Sequence, residues 1–284
     1  VNRLPETPGL APGAGKFRFA PDGSHPRMNV HYYLPANLPE DAPVVFVMHG
    51  TRRDSDLYRD VWAAAAELYC FALICPRFRK RDYPRGTYHR GNVVDDNGRR
   101  NPESDWTFSV IEEIFDHVRR RLGNTSERYA IHGHSAGGQF VHRMVMLAPG
   151  SRFHTAVAAN TGWYTMPDYE TDFPYGLRGT DVENRLEAAL SRRLVVLLGE
   201  KDTDPNDPFL RITEEAVKQG ATRYERGHAF HRAAREKAAE LRTDLAWRLV
   251  TVPGATHLDR QMMPAAVREM FGGMVISGGY RTMR

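Results

Sequence analysis

Hydrophobic positions along the chain fall into short runs separated by longer segments with helical spacing. Val44–His49, Phe71–Cys75, Tyr129–His132, Thr155–Asn160, Leu194–Gly199 and Leu249–Pro253 are apolar-rich, and most contain β-branched residues. Strands that are apolar on both faces lie inside a parallel sheet covered by helices. Between the runs, Trp106, Val110, Ile114, Phe115, Val118 and Leu122 share one helical face. Phe140, Val141, Met144, Val145 and Ala148 share another. The alternation predicts an α/β chain with a doubly wound, mostly parallel sheet and helices on both faces. Lys16–Ala20 and Met28–Leu34 flank the turn-forming Pro21-Asp22-Gly23. They predict an antiparallel pair, within residues 15–34, that leads the sheet. Counting that pair, the sheet has about eight strands, with Tyr129–His132 near its centre.

Two stretches, 77–104 and 161–180, carry no clear period. Loops of that length are uncommon in a compact domain and are often functional. No internal repeat or low-complexity linker is visible, so residues 1–284 read as one domain with two decorated loops. The most nearly apolar stretch, Val61–Cys75, is interrupted by Glu67 and is too short to span a bilayer. No basic segment followed by an apolar one opens the sequence, so no signal peptide is visible in a numbering that begins at a valine.

Charge excludes little but points away from nucleic acid. The 39 basic and 35 acidic residues give a net charge of +4 and are mixed along most of the chain, without a basic arm or face. One local excess, Arg77 to Arg100, holds eight basic residues against three acids. It reads first as solvated, arginine-biased surface and second as a device that steers an anionic substrate. Cys70 and Cys75 form neither a CxxC pair nor part of a His cluster, so buried reduced thiols are expected, with no disulfide framework and no zinc site. No phosphate-binding loop or metal motif competes. No cofactor, metal, nucleic acid or membrane partner is expected.

The sharpest chemical signal is Gly133-His134-Ser135-Ala136-Gly137. A Gly-x-Ser-x-Gly match of this kind arises by accident roughly 0.06 times in a chain of this composition. Its placement says more, because an apolar strand precedes it and an amphipathic helix follows it. That is a nucleophile elbow, a strained strand–turn–helix that pushes the Ser135 hydroxyl outward. A serine needs a base, and the base needs an orienting acid, in the chain order Ser, acid, His. The run Leu194–Gly199 ends just before Asp202, beyond the carboxyl end of a strand, where ligand sites of open α/β sheets form. Asp204 is the alternative acid. His257 follows the run Leu249–Pro253 and a glycine turn, and is the expected base, whereas His228 and His231 lie in a charge-rich helical stretch. The backbone N–H groups of Ala136 and of Thr51, which follows the apolar strand and His49-Gly50, are the expected oxyanion donors. His49 reads as a structural hydrogen-bonder of that loop. Trp163, Tyr164 and His134 are candidate substrate contacts, the two aromatics having ordinary core packing as their alternative.

His49-Gly50, the elbow, Asp202 and His257, in this order across roughly residues 28 to 272, resemble the α/β-hydrolase family. The layout without a large lid, and Asn160-Thr161-Gly162-Trp163-Tyr164 directly after a strand, are similar to bacterial poly(3-hydroxybutyrate) depolymerase-like and feruloyl-esterase-like enzymes. The resemblance implies an α/β-hydrolase fold and a serine esterase with a Ser-His-Asp triad and an acyl-enzyme. A serine peptidase or amidase on the same fold, and a binding protein that has lost catalysis, are the alternatives. Residues 161–180 carry Asp168, Glu170, Asp172, Arg178, Pro167, Pro174 and Gly176, so they cannot form the apolar helical lid of a lipase. The expected partner is therefore a small or oligomeric ester substrate, with short acyl or aryl esters preferred over long-chain triglycerides.

Overall fold

A computed structural model describes residues 9–272 except 24, 85, 183 and 184, together with the backbone of 274–277 and 280–283. Its main sheet has eight strands: β1 Gly13–Phe19, β2 Met28–Leu34, β3 Val44–Met48, β4 Ala72–Pro76, β5 Tyr129–His134, β6 Phe153–Ala159, β7 Leu194–Gly199 and β8 Trp247–Val252. They lie in the order β1-β2-β4-β3-β5-β6-β7-β8. β1–β2 and β2–β4 pair antiparallel and the remaining pairs are parallel. The leading antiparallel pair, the parallel body and the central place of β5 all match the sequence pattern. A separate hairpin, β9 Met274–Ser277 with β10 Tyr280–Met283, follows; its alternation is too short to register as a pattern.

Seven α-helices and a 3₁₀ turn at Glu103–Asp105 complete the described fold: α1 Ser55–Tyr69, α2 Ser109–Leu122, α3 Ala136–Leu147, α4 Leu186–Leu190, α5 Glu214–Gln219, α6 Arg223–Leu241 and α7 Asp259–Phe271. Two apolar clusters cover the two faces of the sheet, and β3 shows how. Val44, Phe46 and Met48 join Val110, Phe115 and Phe140 of α2 and α3 in one cluster, and Val45 and Val47 join Trp62 and Met262 of α1 and α7 in the other. Alternate residues thus meet different helical layers, which is why the strand is apolar throughout. Local signals set the helix ends. α2 stops at Gly123, whose φ of 61° is left-handed, after three arginines that complement the carboxyl end of the helix dipole. α6 opens with a reciprocal capping box between Thr222 and Glu225. Cys75 is buried as expected, whereas Cys70 is only partly buried because it occupies the left-handed residue that ends α1.

The segments 77–104 and 161–180 contain no long helix or strand; each closes on itself with an isolated bridge, Val94 to Arg100 and Asp172 to Arg178. Both pass over the carboxyl ends of the parallel strands, where the chain between β5 and α3 turns sharply. That turn depends on missing side chains. A Cβ on Gly137 would collide with the carbonyl oxygen of Met48, and one on Gly133 with that of Gly137. Gly137→Ala is therefore expected to destabilise the protein by more than about 3 kcal/mol, or to abolish soluble folding, because the obstacle is backbone. Gly150→Ala, where the added methyl meets open space, should change stability by less than about 0.5 kcal/mol. Thermal melts of the two variants check this, and equal melting temperatures would contradict it.

Candidate active site

Ser135 sits at the apex of the turn with φ 56° and ψ −111°, far outside the ordinary regions for a side-chain-bearing residue. Backbone bonds fix it there: its N–H donates to Ala159 O at 2.9 Å and its carbonyl accepts from Gln139 N–H at 3.1 Å. Two loops approach from neighbouring strands. The loop after β7 carries Asp202 and the loop after β8 carries His257, with His257 Nδ1 2.7 Å from Asp202 Oδ2. The second carboxylate oxygen, Oδ1, accepts from Arg223 Nη1 at 3.2 Å, and the same guanidinium reaches Asp207 Oδ2 at 3.0 Å. Asp204 is not part of this arrangement; its carboxylate caps the N–H of Asn206 at 2.9 Å in an exposed turn. His228 rests against the Tyr224 ring on α6, and His231 Nε2 lies 3.3 Å from Trp247 O, so neither joins the site.

Asn160, in the left-handed region with φ 44°, ties the two loops together. Its Oδ1 accepts from Gly199 N–H at 2.8 Å and its Nδ2 donates to Thr256 O at 2.9 Å. One amide from the end of β6 thus braces the start of the Asp202 loop and the residue before His257.

On the other side of Ser135, the loop after β3 is held by buried side chains. His49 Nε2 accepts from Phe78 N–H at 3.1 Å, which leaves the ring proton on Nδ1, 3.1 Å from Gly50 O. That carbonyl also accepts from Arg53 N–H at 3.2 Å. A trans peptide points its N–H opposite to its C=O, so fixing Gly50 O directs Thr51 N–H the other way. Burial, with the Arg53 cation second, lowers the His49 pKa to about 3, and the ring stays neutral. The Tyr58 hydroxyl clips this loop to the elbow. It accepts from Gly50 N–H at 3.1 Å and keeps its own proton for His134 Nδ1, also at 3.1 Å. His134 is buried, its pKa lowered to about 3 chiefly by that burial, and its ring lies 4.7 Å from the His257 ring. Neither Thr51 N–H nor Ala136 N–H has a protein acceptor among the described residues. Donors left open at a strand–loop end and a helix N-terminus can receive a developing oxyanion.

Ser135 stands between two cavities. One of about 500 Å³ is lined by Thr51, Ala136, Gln139, Trp163 and several basic side chains; the other, of about 350 Å³, is lined by His134, His257, Leu57 and Leu258. Trp163 and Tyr164, expected together at the cleft, part company. Trp163 lines the larger cavity, but Tyr164 turns into the core, its ring stacked 4.4 Å from Phe230, and lines neither cavity. Both were compatible with an aromatic pair leaving a strand, because side-chain direction in an irregular segment follows tertiary contacts. The basic stretch after β4 is not merely solvated, since Lys80, His89 and Arg90 line the larger cavity. Sequence reasoning passed over Tyr58, Arg223 and the bracing role of Asn160. For Arg223 a signal existed: Thr222-x-x-Glu225 marks a helix start and puts that arginine in its first turn.

No protein-family model matches the chain, and no curated protein matches it by sequence. Solved structures do. Poly(aspartic acid) hydrolase-1 of Sphingomonas sp. KT-1 is 42% identical with a TM-score of 0.89, the match covering 91% of this chain and 98% of that one. Poly(3-hydroxybutyrate) depolymerase LpqC of Bordetella parapertussis is 31% identical with a TM-score of 0.87, covering 94% and 92%. An S-formylglutathione hydrolase of Agrobacterium tumefaciens, 18% identical with a TM-score of 0.56 and covering 93% and 96%, shares the fold. The chain belongs to the α/β-hydrolase family, among its esterase-like and depolymerase-like serine hydrolases, and is a hydrolase.

The Tyr58 clip generates a test. Tyr58→Phe removes the bond to Gly50 N–H and frees the loop beside Ser135. Turnover should fall roughly 10- to 100-fold with KM changed little, as when one interaction made in the transition state is loosened. Ser55→Ala, on the same helix but bonded to His31, should leave turnover unchanged. Steady-state kinetics check this; equal turnover in Tyr58→Phe and the parent would contradict it.

Proposed function

We propose that the chain cleaves carboxylic esters through an acyl-enzyme, with Ser135 as nucleophile, His257 as general base and Asp202 as the acid that orients it. The observation that carries this reading is the 2.7 Å contact from His257 Nδ1 to Asp202 Oδ2, with His257 and Ser135 on the wall of one cavity. Asp202 holds the tautomer that leaves His257 Nε2 free to take the Ser135 proton. Ser135 Oγ bonds to the ester carbonyl carbon, and the negative charge on the carbonyl oxygen is received by Thr51 N–H and Ala136 N–H. The carbon–oxygen bond to the alcohol then breaks as His257 returns the proton to it. Water repeats the sequence on the acyl-enzyme and releases the acid.

For the acyl group we propose short aliphatic, hydroxyalkanoate or aryl acids, with Trp163 as the apolar wall and His134 bounding the other side. The cleft is closed by polar segments, so a long chain has no apolar surface on which to realise its binding energy. A second reading, amide cleavage in an acidic polymer, is favoured by the basic lining of the larger cavity and by the relative named for poly(aspartic acid) hydrolysis. The same triad serves both; the two differ in whether His257 protonates an alkoxide or an amine.

Kinetics of four variants test the assignment. Ser135→Ala and His257→Ala should each lower kcat on 4-nitrophenyl butyrate by about 10⁴-fold or more, and His228→Ala should not. Asp202→Asn should lose far more than Asp204→Asn. Greater damage from Asp204→Asn would move the acid by two positions, and activity surviving in Ser135→Ala would remove the nucleophile. A matched ester and anilide of one acyl group separate the two substrate readings.

A further inference from the structure

The two cavities beside Ser135 differ in charge. The larger is lined by Arg53, Lys80, Arg90, Arg211 and Arg223 and, among the described residues, by no carboxylate. The smaller mixes Arg52, Lys80 and Arg260 with Asp54 and Asp259, and adds Leu57, Val61 and Leu258. Arg223 is matched by Asp202 and Asp207, and Arg211 donates from Nε to the Tyr175 hydroxyl at 3.0 Å.

At this wall and behind it, two guanidinium groups have no counter-charge among the described residues. Arg143 is fully buried under Trp163, its Cζ 4.3 Å from the ring centre. It donates to Thr165 Oγ1 at 2.8 Å, to His89 O at 2.6 Å, and to Gln139 O and Oε1 at 3.2 and 3.4 Å. Its Nη2 has no partner, and no carboxylate among the described residues is within ion-pair distance. Arg53 is the second case: 5% exposed, on the cavity wall, in a left-handed backbone position with φ 65°. Its Nη1 donates to Phe78 O at 2.5 Å, its Cζ lies 4.2 Å from the Tyr88 ring centre, and its Nε has no partner. Arg211 approaches the outer face of Trp163, with Cζ 5.8 Å from the ring centre. A guanidinium keeps its proton in a protein, so burying one beside neutral acceptors alone is unfavourable until an anion arrives.

The reaction sets which part of the substrate each cavity receives. His257 must deliver its proton to the departing atom, so the leaving group lies on the His257 side, in the smaller cavity. The acyl group then lies in the larger one. We propose that the larger cavity is a carboxylate subsite for the acyl half of the substrate: the protein selects acyl groups that carry a second, free carboxylate, held by Arg53 and Arg211 in the field of Arg143. The leaving group meets mixed charge and the Leu57–Leu258 surface, and gains nothing from a carboxylate of its own. The inference rests on the proposed acyl-enzyme reading of Ser135 and His257.

Three esters test it: 4-nitrophenyl butyrate, the 4-nitrophenyl half-ester of glutaric acid, and 3-carboxy-4-nitrophenyl butyrate. The half-ester should exceed the butyrate in kcat/KM by about tenfold or more, the size of one charge-assisted contact. The ester with the carboxylate on its leaving group should show no gain. The advantage of the half-ester should shrink as salt rises from about 50 to about 500 mM, and should collapse in Arg211→Gln and in Arg53→Gln. Arg211 is exposed, so its variant remains informative if the buried Arg53 variant does not fold. A half-ester no better than the butyrate, a gain from the carboxylated leaving group, or an advantage that survives Arg211→Gln would overturn the subsite. Hydrolysis of all three esters by Ser135→Ala would instead overturn the reading beneath it.

Discussion

The site depends on one constraint: the chain must reverse within a few residues between β5 and α3 while presenting Ser135 at φ 56°. A residue with a Cβ is held in that region only where the surroundings over-determine it. Here they do so by contact. The strand below and the helix behind approach so closely that neither Gly133 nor Gly137 has space for a side chain. The close approach brings Met48, the last residue of β3, against the start of α3, and so brings the Gly50–Thr51 peptide beside Ser135. Loosening the turn would separate the hydroxyl from the donors opposite it, although the two come from strands far apart in sequence.

Around the turn, buried polar side chains fix directions that backbone sterics leave open. His49 and Tyr58 settle the Gly50 peptide, Asn160 settles the loops after β7 and β8, and Arg223 settles the Asp202 oxygen that His257 does not use. Each bond is between groups that would be costly to bury alone. His49 and His134, their pKa values lowered chiefly by burial, therefore act as neutral hydrogen-bonding frames, and His257 is left at the cleft as the proposed proton carrier. The uncompensated guanidinium groups are the exception to this economy of matched partners, and they lie together on one side of Ser135.

The strands were legible because both faces are buried, so their hydrophobic runs are uninterrupted, and the helices because each exposes one face. Ser135, Asp202 and His257 could be located because each follows a recognisable strand, and the sheet carries all three strand ends to one edge. Tyr58, Arg53 and Arg143 were not legible. Their positions follow from contacts across 22 to 76 residues, and nothing in the local pattern of a helix or a turn distinguishes them from core or surface. Tyr164 takes its core-packing alternative for the related reason that consecutive residues after β6 need not face the same way once the strand ends. The charged segment after β4 was under-read because composition reports an arginine bias and not where the loop lies.

The proposed chemistry requires the strained Ser135 to form the covalent intermediate. A 4-nitrophenyl carbamate reacts as an ester does but leaves an acyl group that water removes slowly, so the modified residue can be found by digestion and mass spectrometry. A single carbamoyl group is expected, on Ser135. A carbamoyl group on another residue with Ser135 unmodified would contradict it.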